Sequence, residues 1–514
     1  MNWEQAVADL PRAYPGPGGA VAVLRDGETL VRHAWGWANA ERRIAFRPDT
    51  LFRMCSITKQ FTCALALETF PDLSALDDDV RARLPRLEAP APPALRLAHN
   101  QSGLRDYWAV AMLMGSAVEA PFGDTEAGRI VASTRTLQFA SGTRFSYCNQ
   151  NFRLLSDILQ DRTGRSFGEM LRTVLFDRAG MATALLASDT RALPDGTEGY
   201  EGNPVAGFRA AVNRIQWTGD AGLAASLDDM IAWERFIDAT RDDVASPYAK
   251  LCAPASFADG AAAAYGFGVA RRMEFGRLVT GHGGALRGWR SHRLYVPAER
   301  LSIVVMFNHL SDAQAAALDL LAAVLGETRA RPNASLPAPA WLGAYIEPQT
   351  GLAARVEAAG AGEVLLRYGH SAERLALQPD GSAGRDATRL YRATGGLWMD
   401  RPVDRQISRL VPVNGALSLD VAGVYRCDEL DAELTVVDAG GVLYGAFSGA
   451  LGQGSMELLV PIAEDLCALP CPRALDHTPP GDWTLSFARD ANRRVQAATV
   501  GCWLARGLTY AKRS

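Results

Sequence analysis

Lysine is almost absent from this sequence of 514 residues: Lys59, Lys250 and Lys512 are the only lysines among 53 basic side chains. The other basic positions are arginine, which stays protonated in proteins, whereas burial and neighbouring charges can turn a lysine into a base. Lys250 lies in a predicted polar loop and Lys512 close to the C-terminus, so we expect neither to carry chemistry. Lys59 follows a serine in a predicted helix, which makes it the lysine to consider as a candidate catalytic group.

Other scarce features exclude whole classes of protein. Eight cysteines are too few for a disulfide scaffold, and Cys467 and Cys471 have no second pair nearby, so we expect two reduced thiols and no metal. No apolar run is long enough to predict a transmembrane helix. The N-terminus has Glu4 and Asp9 but no basic segment, which predicts a cytoplasmic protein without a secretory signal or a membrane partner. A formal net charge of -4, with no basic block, argues against binding to nucleic acid.

The overall composition, 48% hydrophobic and 21% charged, is typical of a folded protein. The length predicts two or three domains. Within residues 1–326, strand patterns lie near both ends and helical patterns lie between them. This arrangement predicts an α+β domain whose antiparallel sheet is joined by strands from both ends. One helix is predicted to begin with Ser56 as its N-cap, and the last to cover about 313–325.

The Pro- and Ala-rich stretch 327–337 is predicted to be a linker. After it, short apolar runs alternate with Gly, Asp and Asn turns, a pattern typical of antiparallel barrels or sandwiches. Gly343-Ala-Tyr345 recurs as Gly423-Val-Tyr425, which indicates an internal repeat. We therefore predict two β-barrel domains of similar size, 338–417 and 418–514.

Ser56 and Lys59 are three residues apart, so both side chains lie on one face of the predicted helix. A serine hydroxyl is a weak nucleophile unless a neighbouring base takes its proton, and a neutral lysine amine can do so. A serine at a helix N-terminus also places its backbone N–H near a developing oxyanion. The alternative is a capping serine followed by a solvated lysine, and the scarcity of lysine weighs against it.

Two further motifs follow in the same predicted domain. Tyr147-Cys-Asn149 lies about 90 residues downstream, and alone it indicates little, because a tyrosine beside a helix is usually part of the core. Gly281-His-Gly-Gly284 follows an apolar strand, and alone it fits a tight turn with a surface histidine. The order is informative: a nucleophile motif, Tyr-x-Asn and then a glycine-rich strand, all before the linker.

Together, Ser-x-x-Lys, Tyr-x-Asn and His-Gly-Gly resemble the three motifs of the penicillin-recognising serine hydrolases, the family of serine β-lactamases and penicillin-binding proteins. The third motif has histidine where those enzymes usually have Lys-Thr-Gly. Longer stretches are similar to the D-stereospecific aminopeptidase branch of this family: 55–63, 100–108, 213–217, 281–290 and 500–507. The resemblance spans essentially the whole chain. It implies a β-lactamase-like catalytic domain, with helices flanking an antiparallel sheet, then two eight-stranded antiparallel β-barrels, and a homodimer.

The resemblance also implies roles for individual residues. Ser56 would be the acylated nucleophile and Lys59 the general base, while Tyr147 would relay the proton to the leaving amine or share the role of base. His282 would hold the Tyr147 hydroxyl or join that relay. The backbone N–H groups of Ser56 and Gly284 would form the oxyanion hole.

Two more positions would bind the substrate. Asn149 would hydrogen-bond it near the scissile bond. The stretch 472–482 is, by composition, a hairpin loop of the last barrel, and by resemblance it is a loop that reaches into the active site. Asp476 would then face the free α-ammonium of the substrate, because a carboxylate in a confined cleft recognises a cation. Whether Asp476 or His477 points inward is left open.

The implied activity is release of an N-terminal D-residue, with D-alanine expected, from short peptides, amides and esters, through an acyl-enzyme and without a cofactor. The preference for D-residues and the homodimer are implied by resemblance alone. A promiscuous esterase or a D,D-peptidase of the same family is the alternative enzyme, and a non-catalytic penicillin-binding receptor is an alternative of another class. The resemblance also suggests β-lactams as inhibitors that acylate Ser56 slowly, since His282 does not supply the cation of a Lys-Thr-Gly motif.

Overall fold

The computed structural model describes residues 3–329, 332–360, 362–385, 388–471, 475 and 481–513, and its elements form three groups along the chain. The helices of the first group are α1 (Trp3–Ala13), α2 (Thr58–Thr69), α3 (Asp77–Arg83), α4 (Ala94–Ala98), α5 (Tyr107–Leu113), α6 (Asp124–Ser133), α7 (Asn149–Thr163), α8 (Phe167–Met170), α9 (Asp177–Ala179), α10 (Leu227–Ala239), α11 (Pro247–Leu251) and α12 (Ala313–Leu325). Its strands are β1 (Gly18–Arg25), β2 (Glu28–Asn39), β3 (Ile44–Ala45), β4 (Phe52–Arg53), β5 (Leu185–Leu186), β6 (Tyr200–Asn203), β7 (Gly207–Ala210), β8 (Leu223–Ala225), β9 (Ala255–Ser256), β10 (Ala262–Ala263), β11 (Tyr265–Gly266), β12 (Val269–Glu274), β13 (Arg277–Leu286), β14 (Trp289–Val296) and β15 (Leu301–Phe307). Across the described ranges, no helix is both long and apolar enough to cross a membrane.

The central sheet of the first domain has eight strands in the order β11-β12-β13-β14-β15-β1-β2-β3. Strand β1 pairs antiparallel with β15, so the two ends of the domain share one sheet, as the sequence predicts. Alternate residues of β1 enter two different cores, because side chains of a strand point to opposite faces. Ala20 and Ala22 pack toward the helices around α2, and Val21 and Val23 pack against α1 and α12.

Helix α2 runs through the middle of the larger core. The nine residues from Thr58 to Ala66 are all fully shielded from solvent, on every side of the helix, and only its C-terminal end reaches the surface. A helix that is buried all round belongs to the interior of a large domain. Lys59, in its first turn, is therefore a lysine held inside the protein.

The second group is a closed barrel of eight antiparallel strands, as the sequence predicts. Along β17, Leu352, Ala354 and Val356 point inward and alternate with partly exposed residues, the pattern of a strand with one buried face. The strands are β16 (Gly343–Glu347), β17 (Leu352–Gly360), β18 (Glu363–Arg367), β19 (Glu373–Leu377), β20 (Ala383–Arg385), β21 (Thr388–Ala393), β22 (Gly396–Arg401) and β23 (Gln406–Val413).

The third group is a half-barrel, which corrects the prediction of a second closed eight-stranded barrel. Within the described residues, its ten strands follow the path β27-β26-β25-β24-β33-β32-β31-β30-β29, with β28 beside β26, and the two ends of the path are unpaired. Pro461 in the edge strand β29 lacks an N–H with which to bond a further strand. The neighbouring Ile462 packs against the barrel, so the second domain covers this edge. The strands are β24 (Gly423–Cys427), β25 (Ala432–Asp438), β26 (Leu443–Gly449), β27 (Gly452–Gln453), β28 (Glu457–Leu458), β29 (Val460–Ala463), β30 (Leu466–Leu469), β31 (Trp483–Arg489), β32 (Val495–Cys502) and β33 (Ala505–Lys512).

The predicted internal repeat marks the first strand of each C-terminal domain. Gly343 opens β16 with φ +149° and Gly423 opens β24 with φ +146°. The hydroxyl of Tyr345 donates to the carbonyl of Trp341, and that of Tyr425 to the carbonyl of Val421, four residues back in each case. The two domains therefore begin with the same local structure, although one closes and the other does not.

Candidate active site

Ser56 lies in a short 3₁₀ turn, Cys55–Ile57, that runs directly into α2. The prediction that Ser56 caps this helix is wrong: Ile57 stands at the cap position, and the Ser56 hydroxyl accepts a hydrogen bond from Lys59 instead. Cys55 is fully buried and has a φ of +52°. A residue other than glycine in that conformation carries about 1–3 kcal/mol of strain, which the surrounding packing must offset.

The ammonium group of Lys59 has three acceptors around it. Its Nζ lies 2.9 Å from Ser56 Oγ, 2.8 Å from Asn149 Oδ1 and 2.7 Å from the carbonyl oxygen of Asp220. The amide and carbonyl oxygens can only accept, so each takes one hydrogen from Lys59 in either protonation state. The third position, toward Ser56, carries a hydrogen in the ammonium form and the lone pair in the amine form. The amine is therefore oriented to take a proton from Ser56.

Asp106 holds Asn149 in the orientation that Lys59 requires. Its Oδ2 accepts the Asn149 backbone N–H at 2.6 Å and the Asn149 Nδ2 at 2.9 Å, which turns Asn149 Oδ1 toward Lys59. Its Oδ1 accepts the N–H of Trp108 and so caps α5. Burial raises the pKa of the Asp106 carboxyl to about 6, against the opposing effect of these N–H groups. Asp106 is not among the predicted site residues, although an aspartate before Tyr107-Trp108 is a recognisable cap signal.

Tyr147 borders both Lys59 and His282. The Lys59 Nζ lies 4.8 Å from the centre of the Tyr147 ring, and the ring centres of Tyr147 and His282 are 6.1 Å apart. Tyr147 is half-buried, whereas Lys59 is fully buried. This geometry is compatible with a role of Tyr147 as a proton relay, and that role stays a prediction.

His282 is a neutral imidazole with a defined tautomer. Burial, together with the charge of Lys59, lowers the pKa of His282 to about 3. Its Nδ1 lies 2.6 Å from the carbonyl oxygen of Gly283, which can only accept, so Nδ1 carries the hydrogen. Its Nε2 then accepts from the hydroxyl of Tyr265 at 3.1 Å. His282 thus bonds Tyr265 in this structure, and its predicted bond to the Tyr147 hydroxyl remains a prediction.

Tyr265 is a site residue that the sequence analysis missed. It lies in the edge strand β11, is 5% exposed, and has its ring 5.7 Å from that of His282. No motif surrounds it in the sequence, because its contact with His282 depends on the pairing of β12 between β11 and β13. The Tyr265 hydroxyl donates to Nε2, the nitrogen that the bond from Nδ1–H to the Gly283 carbonyl leaves as an acceptor.

Gly284 lies against the turn that carries Ser56. A Cβ atom on Gly284 would be 2.2 Å from the carbonyl oxygen of Met54, 2.3 Å from Ser291 Oγ and 3.2 Å from Cys55 Cβ. Only glycine lets β13 approach this turn so closely. The contact supports the predicted pairing of the Ser56 and Gly284 N–H groups as an oxyanion hole, which itself stays a prediction.

Asp476 lies outside the described residues, as does most of the predicted specificity loop, but Leu475 is described. Its carbonyl oxygen accepts a hydrogen bond from Arg287 Nη2 at 3.0 Å, and its side chain is buried. Arg287 directly follows β13, the strand that carries His282. The loop therefore meets the catalytic domain at the end of the His282 strand. Arg287 was part of a stretch that carried the resemblance, but no role was assigned to it.

The structure brings most of the predicted site residues together. Ser56, Lys59 and Asn149 are joined by hydrogen bonds, Tyr147 borders Lys59, and His282 lies beside Tyr147. Among the residues described, no cluster of three or more His, Cys, Asp or Glu side chains could hold a metal ion.

Ser56 and Lys59 form a Ser-x-x-Lys pair at the start of a helix, beside the strand that carries His282, and this motif is typical of the penicillin-recognising serine hydrolases. In agreement, residues 3–327 match the family model Beta-lactamase, and the penicillin-binding protein homologue from Pyrococcus abyssi has the same fold, with a TM-score of 0.55 at 19% identity over 86% of this chain and 97% of that one. Residues 334–511 match the family model for D-aminopeptidase, domain B. The D-aminopeptidase of Gluconobacter oxydans (strain 621H) is 58% identical, and that of Brucella melitensis biotype 2 is 45% identical, each over 99% of this chain and 98% of the relative. The chain belongs to the D-aminopeptidase family.

Proposed function

We propose that this protein is a D-stereospecific aminopeptidase that releases an N-terminal D-residue, D-alanine above all, from short peptides, amides and esters. The observation that carries the proposal is the Lys59 Nζ held by two fixed acceptors with its third position toward Ser56 Oγ. This arrangement is that of a serine nucleophile with a base already oriented toward it. The preference for D-residues is supported by the two relatives, both of which are named D-aminopeptidases.

Acylation begins when Ser56 Oγ attacks the carbonyl carbon of the first residue and Lys59 Nζ takes the hydroxyl proton. The negative charge that develops on the carbonyl oxygen is stabilised by the N–H groups of Ser56 and Gly284. Tyr147 gives its hydroxyl proton to the leaving nitrogen and regains one from Lys59. The C–N bond breaks, the shortened peptide or amine leaves, and the D-residue remains as an ester on Ser56.

Deacylation repeats these steps with water as the nucleophile. Lys59, with Tyr147, takes a proton from the water as its oxygen attacks the ester carbonyl, and the same N–H groups stabilise the second oxyanion. When the ester bond breaks, Ser56 Oγ regains its proton and the free D-amino acid leaves. Asn149 contributes twice, because the residue that orients Lys59 also hydrogen-bonds the substrate.

Recognition of the free amine is assigned to Asp476. Leu475, the residue before Asp476, is hydrogen-bonded to Arg287 at the end of the strand that carries His282. His282, whose pKa is about 3, is uncharged at neutral pH, so the third motif provides no cation for a substrate carboxylate. This charge pattern favours a substrate with a free N-terminal ammonium over the C-terminal carboxylate of a D,D-peptidase substrate.

The test compares hydrolysis of D-Ala-p-nitroanilide, its L-isomer and its N-acetylated form, with Ser56→Ala as the control. We expect turnover of the free-amine D-isomer alone and its complete loss in Ser56→Ala. If the acetylated substrate is cut equally well, recognition of the amine is wrong, and the promiscuous esterase or D,D-peptidase replaces the aminopeptidase. If an acyl-enzyme accumulates without turnover, the protein acts as a penicillin-binding receptor.

Two further parts of the proposal concern other molecules. We propose a homodimer, which sedimentation or light scattering would detect as twice the mass of the 55.3 kDa chain. We also propose that β-lactams acylate Ser56 slowly and inhibit without efficient hydrolysis, since the uncharged His282 supplies no cation for their carboxylate. Mass spectrometry of the protein after incubation with benzylpenicillin would detect an adduct that Ser56→Ala lacks.

A further inference from the structure

A hairpin of the third domain reaches the catalytic domain directly beside the active site. Its strands are β32 and β33, and its tip is Trp503-Leu504. The Leu504 carbonyl oxygen accepts the backbone N–H of Asp106 at 2.9 Å, and the carbonyl oxygen of Arg506 accepts Nε of Arg105 at 2.9 Å. All these residues are buried, so water does not compete for the bonds.

From this hairpin, hydrogen bonds lead without a break to the nucleophile. Leu504 fixes the backbone of Asp106, whose carboxylate holds the amide of Asn149 at 2.9 Å. Asn149 Oδ1 accepts from Lys59 at 2.8 Å, and Lys59 lies 2.9 Å from Ser56 Oγ.

A second loop of the third domain holds the same segment through Glu429. Its Oε1 lies 3.3 Å from Nη1 of Arg105, and it also accepts the backbone N–H groups of Arg135 and Thr136 at 3.2 and 3.1 Å. The Arg105 Nη1 reaches the carbonyl oxygen of Thr136 at 2.9 Å as well. Arg105 is thus clamped between two loops of a domain that lies more than 300 residues further along the chain.

The tip of the hairpin is itself held in place. The guanidinium of Arg506 lies 3.9 Å from the ring centre of Trp503, and that of Arg401, from the barrel, lies 5.1 Å from it. Stacking of guanidinium groups on tryptophan is favourable and directional. The hairpin tip that contacts Asp106 is therefore held by residues of both C-terminal domains, and these contacts keep it rigid.

We propose that the third domain positions the catalytic lysine: its hairpin and Glu429 hold Arg105-Asp106 so that Asn149 keeps Lys59 directed at Ser56. Arg105 and Asp106 are positioning residues in this assignment. The inference rests on the proposed acyl-enzyme chemistry at Ser56, but it requires neither the preference for D-residues nor the role of Asp476. It gives the third domain a part in the rate of acylation, separate from substrate selection.

The test uses Glu429→Gln and Arg105→Met in the full-length protein. The matched control is Asp259→Asn, which removes a carboxylate from another ion pair between domains, the pair with Arg405 of the barrel. The acylation rate is measured twice, as the burst with p-nitrophenyl acetate and as kcat on D-Ala-p-nitroanilide. Displacement of a reacting group by about 1 Å can slow a reaction by about 10²-fold, and we expect about tenfold or more for partial loosening.

The expected result is a loss of burst rate and kcat in both Glu429→Gln and Arg105→Met, with KM nearly unchanged and full activity in Asp259→Asn. Normal rates with only a lower melting temperature would overturn the inference, since the contacts would then merely attach the domain. Equal losses in Asp259→Asn would overturn it too. Should Arg105→Met fail to fold, Glu429→Gln decides alone. A wild-type protein with a p-nitrophenyl acetate burst but no activity on the D-anilide would contradict the proposed function and leave this test intact.

Discussion

We expect Gly284→Ala to displace the glycine-rich strand β13 from the turn that carries Ser56. The new Cβ would lie 2.2 Å from the Met54 carbonyl oxygen, well inside the 3.0 Å that real Cβ contacts respect. Because that oxygen belongs to the backbone, the strand or the turn must move by roughly 1 Å, a displacement that can cost about 10²-fold in rate. Overpacking of this kind also lowers the free energy of unfolding by about 1–3 kcal/mol.

Gly283→Ala is the matched control one residue away. Its Cβ would lie 3.2 Å from His292 Nδ1 and 3.6 Å from the carbonyl oxygen of Ser291, so a shift of a few tenths of an ångström in one side chain relieves it. We therefore expect kcat near that of the wild type, with a small change in stability.

The assay is kcat on D-Ala-p-nitroanilide, with urea denaturation to measure the free energy of unfolding of each variant. If Gly284→Ala loses about 2–4 kcal/mol of transition-state stabilisation and Gly283→Ala does not, the contact between β13 and the Ser56 turn is needed for the oxyanion hole. A Gly284→Ala variant that is destabilised but keeps its kcat would refute the reasoning, because the close approach would then serve packing alone.

Three further predictions concern groups around the site. Tyr265→Phe removes the donor to His282 Nε2, and we expect about a tenfold or smaller loss of kcat with little change in KM; an unchanged kcat would mean that this hydrogen bond does not orient the imidazole for the reaction. His99 has no hydrogen-bond partner for either ring nitrogen among the described residues, and burial lowers its pKa to about 4. As pH falls from 6.5 toward 4, the unfolded chain takes up a proton at His99 and the folded chain does not, so stability falls; in His99→Phe, urea denaturation should show a slope lower by up to about 1.4 kcal/mol per pH unit, and an equal slope would contradict the assignment. Glu234 and Arg293 form an ion pair in which both side chains are 0% exposed, so Glu234→Ala leaves a buried charge and should lower the free energy of unfolding by about 3–5 kcal/mol, whereas a loss below 1 kcal/mol in urea would argue against that burial.

The relation between sequence and structure differs from one site residue to the next. Ser56 and Lys59 meet because one helical turn separates them, so their spacing alone predicts the contact. The order of the motifs also indicated that Tyr147 and His282 would lie near this pair, and the structure brings their rings together. The cap at Ser56 was wrong because a 3₁₀ turn precedes α2, and the hydroxyl is engaged by Lys59.

Other contacts cross distances that no motif spans. Asp106 reads as an ordinary helix cap in the sequence, and one of its oxygens does cap α5, while the other holds Asn149, 43 residues away. The bond between Asp106 and Leu504 joins positions almost 400 residues apart. Likewise, the closure of the second domain and the open edge of the third depend on strand pairing, although Pro461 offers a local hint.

The sequence by itself predicted a nucleophile and a base one helical turn apart, because residue type and helical period are local properties. It also indicated that an α+β domain precedes two antiparallel β domains, since hydrophobic periods and turn residues are local as well, but not that only one of them closes. Only the tertiary structure decided how the base is held, which tautomer His282 adopts, and that a hairpin from the far end of the chain supports the site. These features depend on burial and on partners brought together by packing, and hydrogen bonds gain their directional control of a side chain only when water is excluded.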